Sequence, residues 1–257
     1  MKIPVHIELV TPKQNDPEFE TALQTFAEKY DKVIAHGGVV SVTDNPMGNL
    51  HFQFTEMAGE LGLKIVPAQA LLHLNTFHTR AHLDEILNTA AALGIRNLLA
   101  VSGDGSERLP RLTPESIGAT GNAVTSVELL RYVGREYPGR FNCGVAFNQY
   151  EPREHELEKM RRKLDAGATF IITQPALAPA GDLAALPPFP APLIVGAWMS
   201  KKMHLLSECV GYPIPEGTPY DPIQNLRDLI ALYPEAGVYL ALLGFKTQLP
   251  VLKELIG

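Results

Sequence analysis

Glu8 stands inside the apolar run "PVHIELV" (4–10), just before Leu9 and Val10. A carboxylate in such a run loses its solvent unless it faces a polar pocket, and desolvation raises its pKa toward use as a general acid. Asp104 lies in an "SGDG" turn (102–105), where the flanking glycines let backbone approach a ligand and leave the carboxylate exposed. A Gly-Asp-Gly is more often simply a turn. Gln174 closes the run "TFIITQ" (169–174) before Pro175 and carries a donor and an acceptor on one planar group. That pattern suits the amide-like edge of a pterin or a flavin; the plainer alternative is a cap on a neighbouring loop. His73 ends another apolar run and reads as a ligand, a stacking partner or a hydrogen-bonded structural imidazole. "HTRAH" (78–82) sets two imidazoles one helical turn apart, but without an intervening glutamate or an obvious third ligand no metal site is expected. Nucleophile-elbow, Walker and dinucleotide-loop signatures are absent.

Side chains of this kind need elements that end at a common place. Eight apolar runs recur along the chain, at 4–10, 38–43, 64–74, 97–103, 141–147, 169–174, 192–198 and 237–245. Between them apolar residues repeat at three- and four-residue spacing over 17–30, 49–62, 79–93, 122–137 and 153–167, then over 201–209, 221–233 and 246–256. Continuous apolar strands alternating with helices are the pattern of a parallel sheet buried on both faces. Eight βα units in this length match a (β/α)8 TIM barrel, with an open doubly wound sheet as the alternative. The proline-rich stretch 175–192 leaves room for one short helix at 181–186. In a barrel the reactive groups sit at the C-terminal strand ends, which here carry Glu8, Thr43 with Asp44, His73 with Asn75, Asp104, Asn148 with Gln149, Gln174, Trp198 with Ser200 and Lys201, and Phe245. Polar loops begin at any strand end, so each position alone has an ordinary explanation.

The 257 residues, 46% of them hydrophobic, are expected to form a single domain over 1–257. A net charge of -6 without a long basic run argues against nucleic acid as a partner. No apolar run reaches membrane-spanning length and the N-terminus enters a strand pattern directly, so a cytoplasmic protein is expected. Cys143 and Cys209 read as buried small apolar residues. Several apolar helix faces would serve a homo-oligomer. The basic stretch "KMRRK" (159–163) reads as a solvated face, with Lys163 at the helix end turned back toward the barrel.

In order along the chain, "IELVTP" (7–12), "VSVT" (40–43), "HL" (73–74), "GIRNLLAVSGD" (94–104), "GVAFN" (144–148), "MRRKLDAGATFIITQP" (160–175) and "LIVGAWMSKK" (193–202) together resemble the methylenetetrahydrofolate reductase family. The resemblance implies a (β/α)8 barrel that binds FAD at its mouth, takes hydride from NADH or NADPH, and converts 5,10-methylenetetrahydrofolate to 5-methyltetrahydrofolate in one-carbon metabolism leading to methionine. It makes Glu8 the acid that assists opening of the folate's five-membered ring. Asp104 then lies between flavin and pterin, Gln174 hydrogen-bonds the folate or nicotinamide, and Thr43, His73, Glu156 and Lys163 line the flavin. The chain departs from the family at three cofactor-facing places. Ser102 stands where many members have an arginine that reaches the diphosphate. "NQYE" (148–151) replaces a Tyr-Pro-Glu run, so Asn148 starts this segment and the ring near the flavin is lost or supplied by Tyr150. "YLALLGF" (239–245) replaces a segment ending Tyr-Thr-Leu-Asn-Arg. These departures leave open a flavin-independent folate reductase, a folate-binding or electron-transfer subunit of a larger complex, and a corrinoid-linked methyltransferase.

Overall fold

The computed structural model describes residues 4–178, 183, 189–215, 217 and 219–256. Eight strands close into a barrel in chain order: β1 (Val5–Leu9), β2 (Val39–Val42), β3 (Ala70–Leu74), β4 (Asn97–Ala100), β5 (Asn142–Phe147), β6 (Phe170–Ala176), β7 (Leu193–Trp198) and β8 (Gly237–Ala241). Neighbouring strands run parallel. The described helices are α1 (Phe19–Ala35), α2 (Phe54–Glu60), α3 (Arg80–Ala92), α4 (Ser126–Glu136), α5 (Arg153–Asp165), α6 (Met203–Val210), α7 (Pro222–Leu232) and α8 (Leu249–Ile256). The (β/α)8 expectation holds. Apart from Leu183, the short helix expected at 181–186 lies outside the described residues.

Several sequence-based boundaries move. The third strand begins at Ala70 rather than 64, because Pro67–Gln69 forms a 3-10 turn, and the fourth stops at Ala100 rather than 103. The sixth strand does not stop on Gln174; it continues through Pro175 to Ala176. Cys143 is buried as expected, whereas Cys209 is exposed on α6. Its helix buries Met203, Leu206 and Val210, a spacing that leaves Cys209 off the buried stripe.

Capping chemistry sets several helix starts. Thr125 and Glu128 form a reciprocal capping box on α4, Thr79 accepts the His82 N–H at the start of α3, and Asp221 precedes Pro222 at the start of α7. The residues group into two compact units. One contains the residues through Glu8, 146–161 and those from Phe170 onward; the other contains 9–145 and 162–169.

Candidate active site

In the first unit, β1 alternates Ile7 and Leu9 with His6 and Glu8, so imidazole and carboxyl share one face of the strand. Strand β8 pairs alongside, with His6 opposite Tyr239 and Ile7 opposite Leu240. From that register the Tyr239 hydroxyl donates to Glu8 Oε2 at 2.7 Å. Burial pushes the Glu8 pKa up, and the Tyr239 hydrogen bond only partly offsets it. Glu8 keeps some accessible surface while protein surrounds it densely, and the density of that environment governs the direction of the shift. Beneath it the buried His6 is held neutral, its pKa lowered to about 4 by desolvation.

Gln174 owes its position to a bulge. The β6–β7 register shifts between Ile172 and Pro175. Thr173 bridges the gap: its Oγ1 accepts the Gly196 N–H at 2.9 Å and donates to the Gln174 carbonyl at 2.8 Å. A Cβ on Gly196 would come within 2.8 Å of both the Thr173 and Gln174 carbonyl oxygens, so only glycine lets the bulge close. The half-buried Gln174 carboxamide makes no hydrogen bond among the described residues, whereas its carbonyl accepts from Gln149 Nε2 at 2.9 Å. Gln149 Oε1 is buried without a partner among the described residues.

The segment after β5 is tied down by its own side chains. The Asn148 N–H donates to Glu156 Oε1 at 3.0 Å, and Asn148 Oδ1 accepts the Tyr150 N–H at 3.1 Å. Glu156 is 2% exposed and also meets Lys159 at 3.3 Å. Tyr150 donates its hydroxyl to the Pro175 carbonyl at 2.8 Å and stacks on Tyr212 with centroids 5.6 Å apart.

In the second unit Asp44, just past β2, is a hub. Its carboxylate accepts from His78 Nε2 at 2.7 Å, the Asn75 N–H at 2.9 Å, Gln53 Nε2 at 3.1 Å and Asn45 Nδ2 at 3.3 Å. Burial works against this anion, but His78, the Asn75 N–H and Gln53 outweigh it and hold its pKa below the ordinary carboxylate range. His78 is therefore engaged by Asp44. Its other nitrogen approaches His82 Nδ1 at 3.3 Å.

The hub fixes Asn75, whose Nδ2 also donates to the Asp44 carbonyl at 2.8 Å. Gly103, at φ +80°, packs so closely on Asn75 that a Cβ would lie 2.6 Å from the Asn75 Cβ, and one on Gly105 would lie 2.7 Å from the Phe77 ring. This packing sets the turn that carries Asp104. The exposed Asp104 carboxylate accepts the Met47 N–H at 2.9 Å and thereby ties down a β2–α2 loop in which Asn45 and Met47 adopt positive φ. Ser102 is exposed, and its carbonyl accepts from the Thr76 hydroxyl at 2.8 Å. Arg111 lies 5.4 Å from the Phe77 ring centroid. His73 Nε2 is 3.0 Å from Ser41 Oγ. Thr43 donates its N–H to the Leu9 carbonyl at 3.1 Å, while its Oγ1 is buried without a partner among the described residues. Lys163 is half-buried on α5.

The family model for methylenetetrahydrofolate reductase matches residues 2–177. The chain belongs to that family. A probable NADH-type methylenetetrahydrofolate reductase of rice, Oryza sativa subsp. japonica, is 25% identical over 174 residues, covering 62% of this chain and 28% of the rice protein. Methylenetetrahydrofolate reductase 2 of Schizosaccharomyces pombe is 34% identical over 117 residues, covering 41% of this chain and 18% of the yeast protein. The chain thus matches less than a third of the length of these curated relatives. Among solved structures, a Clostridium thermocellum protein described as binding two copies of 5-methyl-5,6,7,8-tetrahydrofolic acid superposes with a TM-score of 0.62 at 11% identity, covering 98% of this chain and 93% of its own; this likeness is one of fold.

The residues of these arrangements that sequence reasoning missed are Tyr239, Thr173, Gly196 and Arg111. Each acts on a group far away in the chain, and only Gly196, a glycine inside an apolar strand, left a local signal. In the first unit, Gln149 Oε1 and the Gln174 carboxamide, both without a hydrogen-bond partner among the described residues, are compatible with the hydrogen-bonding edge of a flat heterocycle.

Proposed function

We propose that this chain is a cytoplasmic folate reductase that converts 5,10-methylenetetrahydrofolate to 5-methyltetrahydrofolate at the expense of NADH or NADPH, with FAD as its cofactor. The observation that carries this reading is Glu8. A carboxyl whose pKa is raised by burial, with one phenolic hydrogen bond only partly offsetting it, is suited to carry a proton and release it to a substrate nitrogen. Opening the five-membered ring breaks the bond between the bridging carbon and the aniline nitrogen. That nitrogen takes the Glu8 proton, the bridging carbon receives hydride and becomes the methyl group, and a solvent proton restores Glu8.

Gln174 offers donor and acceptor to the pterin or nicotinamide edge. Asp104, exposed on a turn held by Asn75 and Phe77, contacts the folate and biases the flavin electrostatically. Thr43, His73, Asn148, Tyr150, Glu156 and Lys163 would hold the cofactor, and Arg111 beside the Asp104 turn offers the cation that Ser102 lacks. When bound, FAD supplies hydride transfer between reduced nicotinamide and folate.

The test is the visible spectrum of the purified protein after FAD is added and excess removed, followed by anaerobic NAD(P)H oxidation with methylenetetrahydrofolate. Retained flavin bands and folate-dependent turnover support the reading. Turnover without flavin selects a flavin-independent folate reductase, which the serine at 102 favours. A protein that binds folate but turns over only with another polypeptide is the partner-subunit case. No folate binding at all defeats the proposal.

A further inference from the structure

Trp198 ends β7 and is 2% exposed, yet its indole Nε1 has no hydrogen-bond partner among the described residues. An indole N–H can only donate, and a buried donor is ordinarily paired. The surroundings hold it in place. The Tyr220 hydroxyl donates to the Trp198 carbonyl at 2.5 Å, and the next residue, Met199, donates its N–H to the Ala241 carbonyl at 2.9 Å.

The register places the side chain. Trp198 pairs with Ala241 on β8, and Ala241 lies one step beyond the Leu240–Ile7 pair, beside Glu8. Paired residues on parallel strands share a face, so Trp198, Ala241 and Glu8 lie in one row on the face that also carries Tyr239. Only a methyl group separates Trp198 from Glu8 along this row, over two strand spacings of about 4.8 Å each.

Resting on the reading that a heterocycle binds at these strand ends, we infer that the Trp198 indole N–H is a specificity-determining donor to an acceptor edge of that ligand, a lactam carbonyl or an unprotonated ring nitrogen. A ligand presenting an N–H at that point would leave two donors facing each other and be rejected. Both a pterin and an isoalloxazine carry such an acceptor, so the two must be distinguished by titration.

Trp198 is the only tryptophan in the chain, so the full-length protein has a single indole N–H resonance. A ¹⁵N–¹H correlation spectrum, with 5-methyltetrahydrofolate added in one arm and FAD in another, reads the proposed bond directly. The expected result is a downfield shift and slowed solvent exchange of the indole peak in one arm, which identifies the ligand. Calorimetry should show Trp198→Phe weakening that ligand by about two- to tenfold, the loss of one neutral hydrogen bond. Unaltered indole exchange while calorimetry shows wild-type binding overturns the inference and leaves the proposed function standing. Absence of calorimetric binding in both arms overturns both. If Trp198→Phe does not fold, the wild-type indole resonance decides alone.

Discussion

Tyr239→Phe removes one hydroxyl and keeps the ring, and its consequence can be worked out from a single contact. The hydroxyl donates to Glu8 Oε2 at 2.7 Å and favours the ionised carboxylate, against the desolvation that raises its pKa. A hydrogen bond to a charged group is worth about 1.5–3 kcal/mol, so its loss shifts the ionisation equilibrium of Glu8 toward the acid by about one to two powers of ten. Under the acid role proposed for Glu8, activity falls as pH rises through the pKa of Glu8. The alkaline limb of the kcat profile should therefore move to higher pH in Tyr239→Phe. Stability has the same sign. A raised-pKa group contributes its stability in full below the ordinary carboxyl range and loses it as pH rises through the folded pKa, so the variant's denaturant midpoint should match wild type more closely at acid pH than at alkaline pH. The assays are a pH–rate profile with methylenetetrahydrofolate and denaturant melts across the same range. An alkaline limb that stays in place or moves to lower pH would refute the assignment of Glu8 as an acid whose pKa Tyr239 holds down.

Asp44→Asn tests the opposite sign. The depressed Asp44 stabilises above the ordinary carboxylate range and loses that contribution as pH falls through its folded pKa, so the variant should be about 3 kcal/mol less stable near neutrality and show a shallower acid-unfolding slope. Gly196→Ala should cost about 1–3 kcal/mol, because its Cβ meets two backbone carbonyls that cannot swing away, and should raise the folate KM by displacing Gln174; urea melts and steady-state kinetics check it. Under the cofactor role proposed for Arg111, Arg111→Ala should weaken FAD about tenfold or more, read as lost flavin absorbance after gel filtration, while thermal stability changes little.

The fold was legible because eight continuous apolar runs alternate with helical periodicity, a pattern imposed by two-sided strand burial. The chemically exposed positions were legible for the same reason: a carboxylate in "HIEL" or an amide in "FIITQ" contradicts its apolar surroundings. What supports them was not. Tyr239 lies 231 residues from Glu8, and it is the closing of β8 against β1 that brings them together. The bulge at Gln174 depends on Thr173 and on a glycine in the next strand, so the strand bends, rather than stops, where its apolar run ends. The Asp44 hub draws His78 from a turn that resembles half of a metal site when read locally. Arg111, in an irregular loop, had no periodicity to mark it.

Glu8 and Asp44 show how one barrel gives two carboxyls opposite behaviour. Both are enclosed, and desolvation is the largest influence on each, pushing the proton on. They differ in donors. Glu8 accepts one phenolic O–H, too little to offset the loss of water, so its pKa stays raised, the direction that acid chemistry needs. Asp44 accepts from an imidazole, a backbone N–H and two carboxamides, which repay the loss and keep it an anion. An anion so satisfied has little capacity left for a substrate, but it makes a rigid anchor for Asn75, and through Gly103 for the turn that presents Asp104. The number and kind of donors, rather than burial, therefore separate the carboxyl that can do acid chemistry from the one that anchors its own loops.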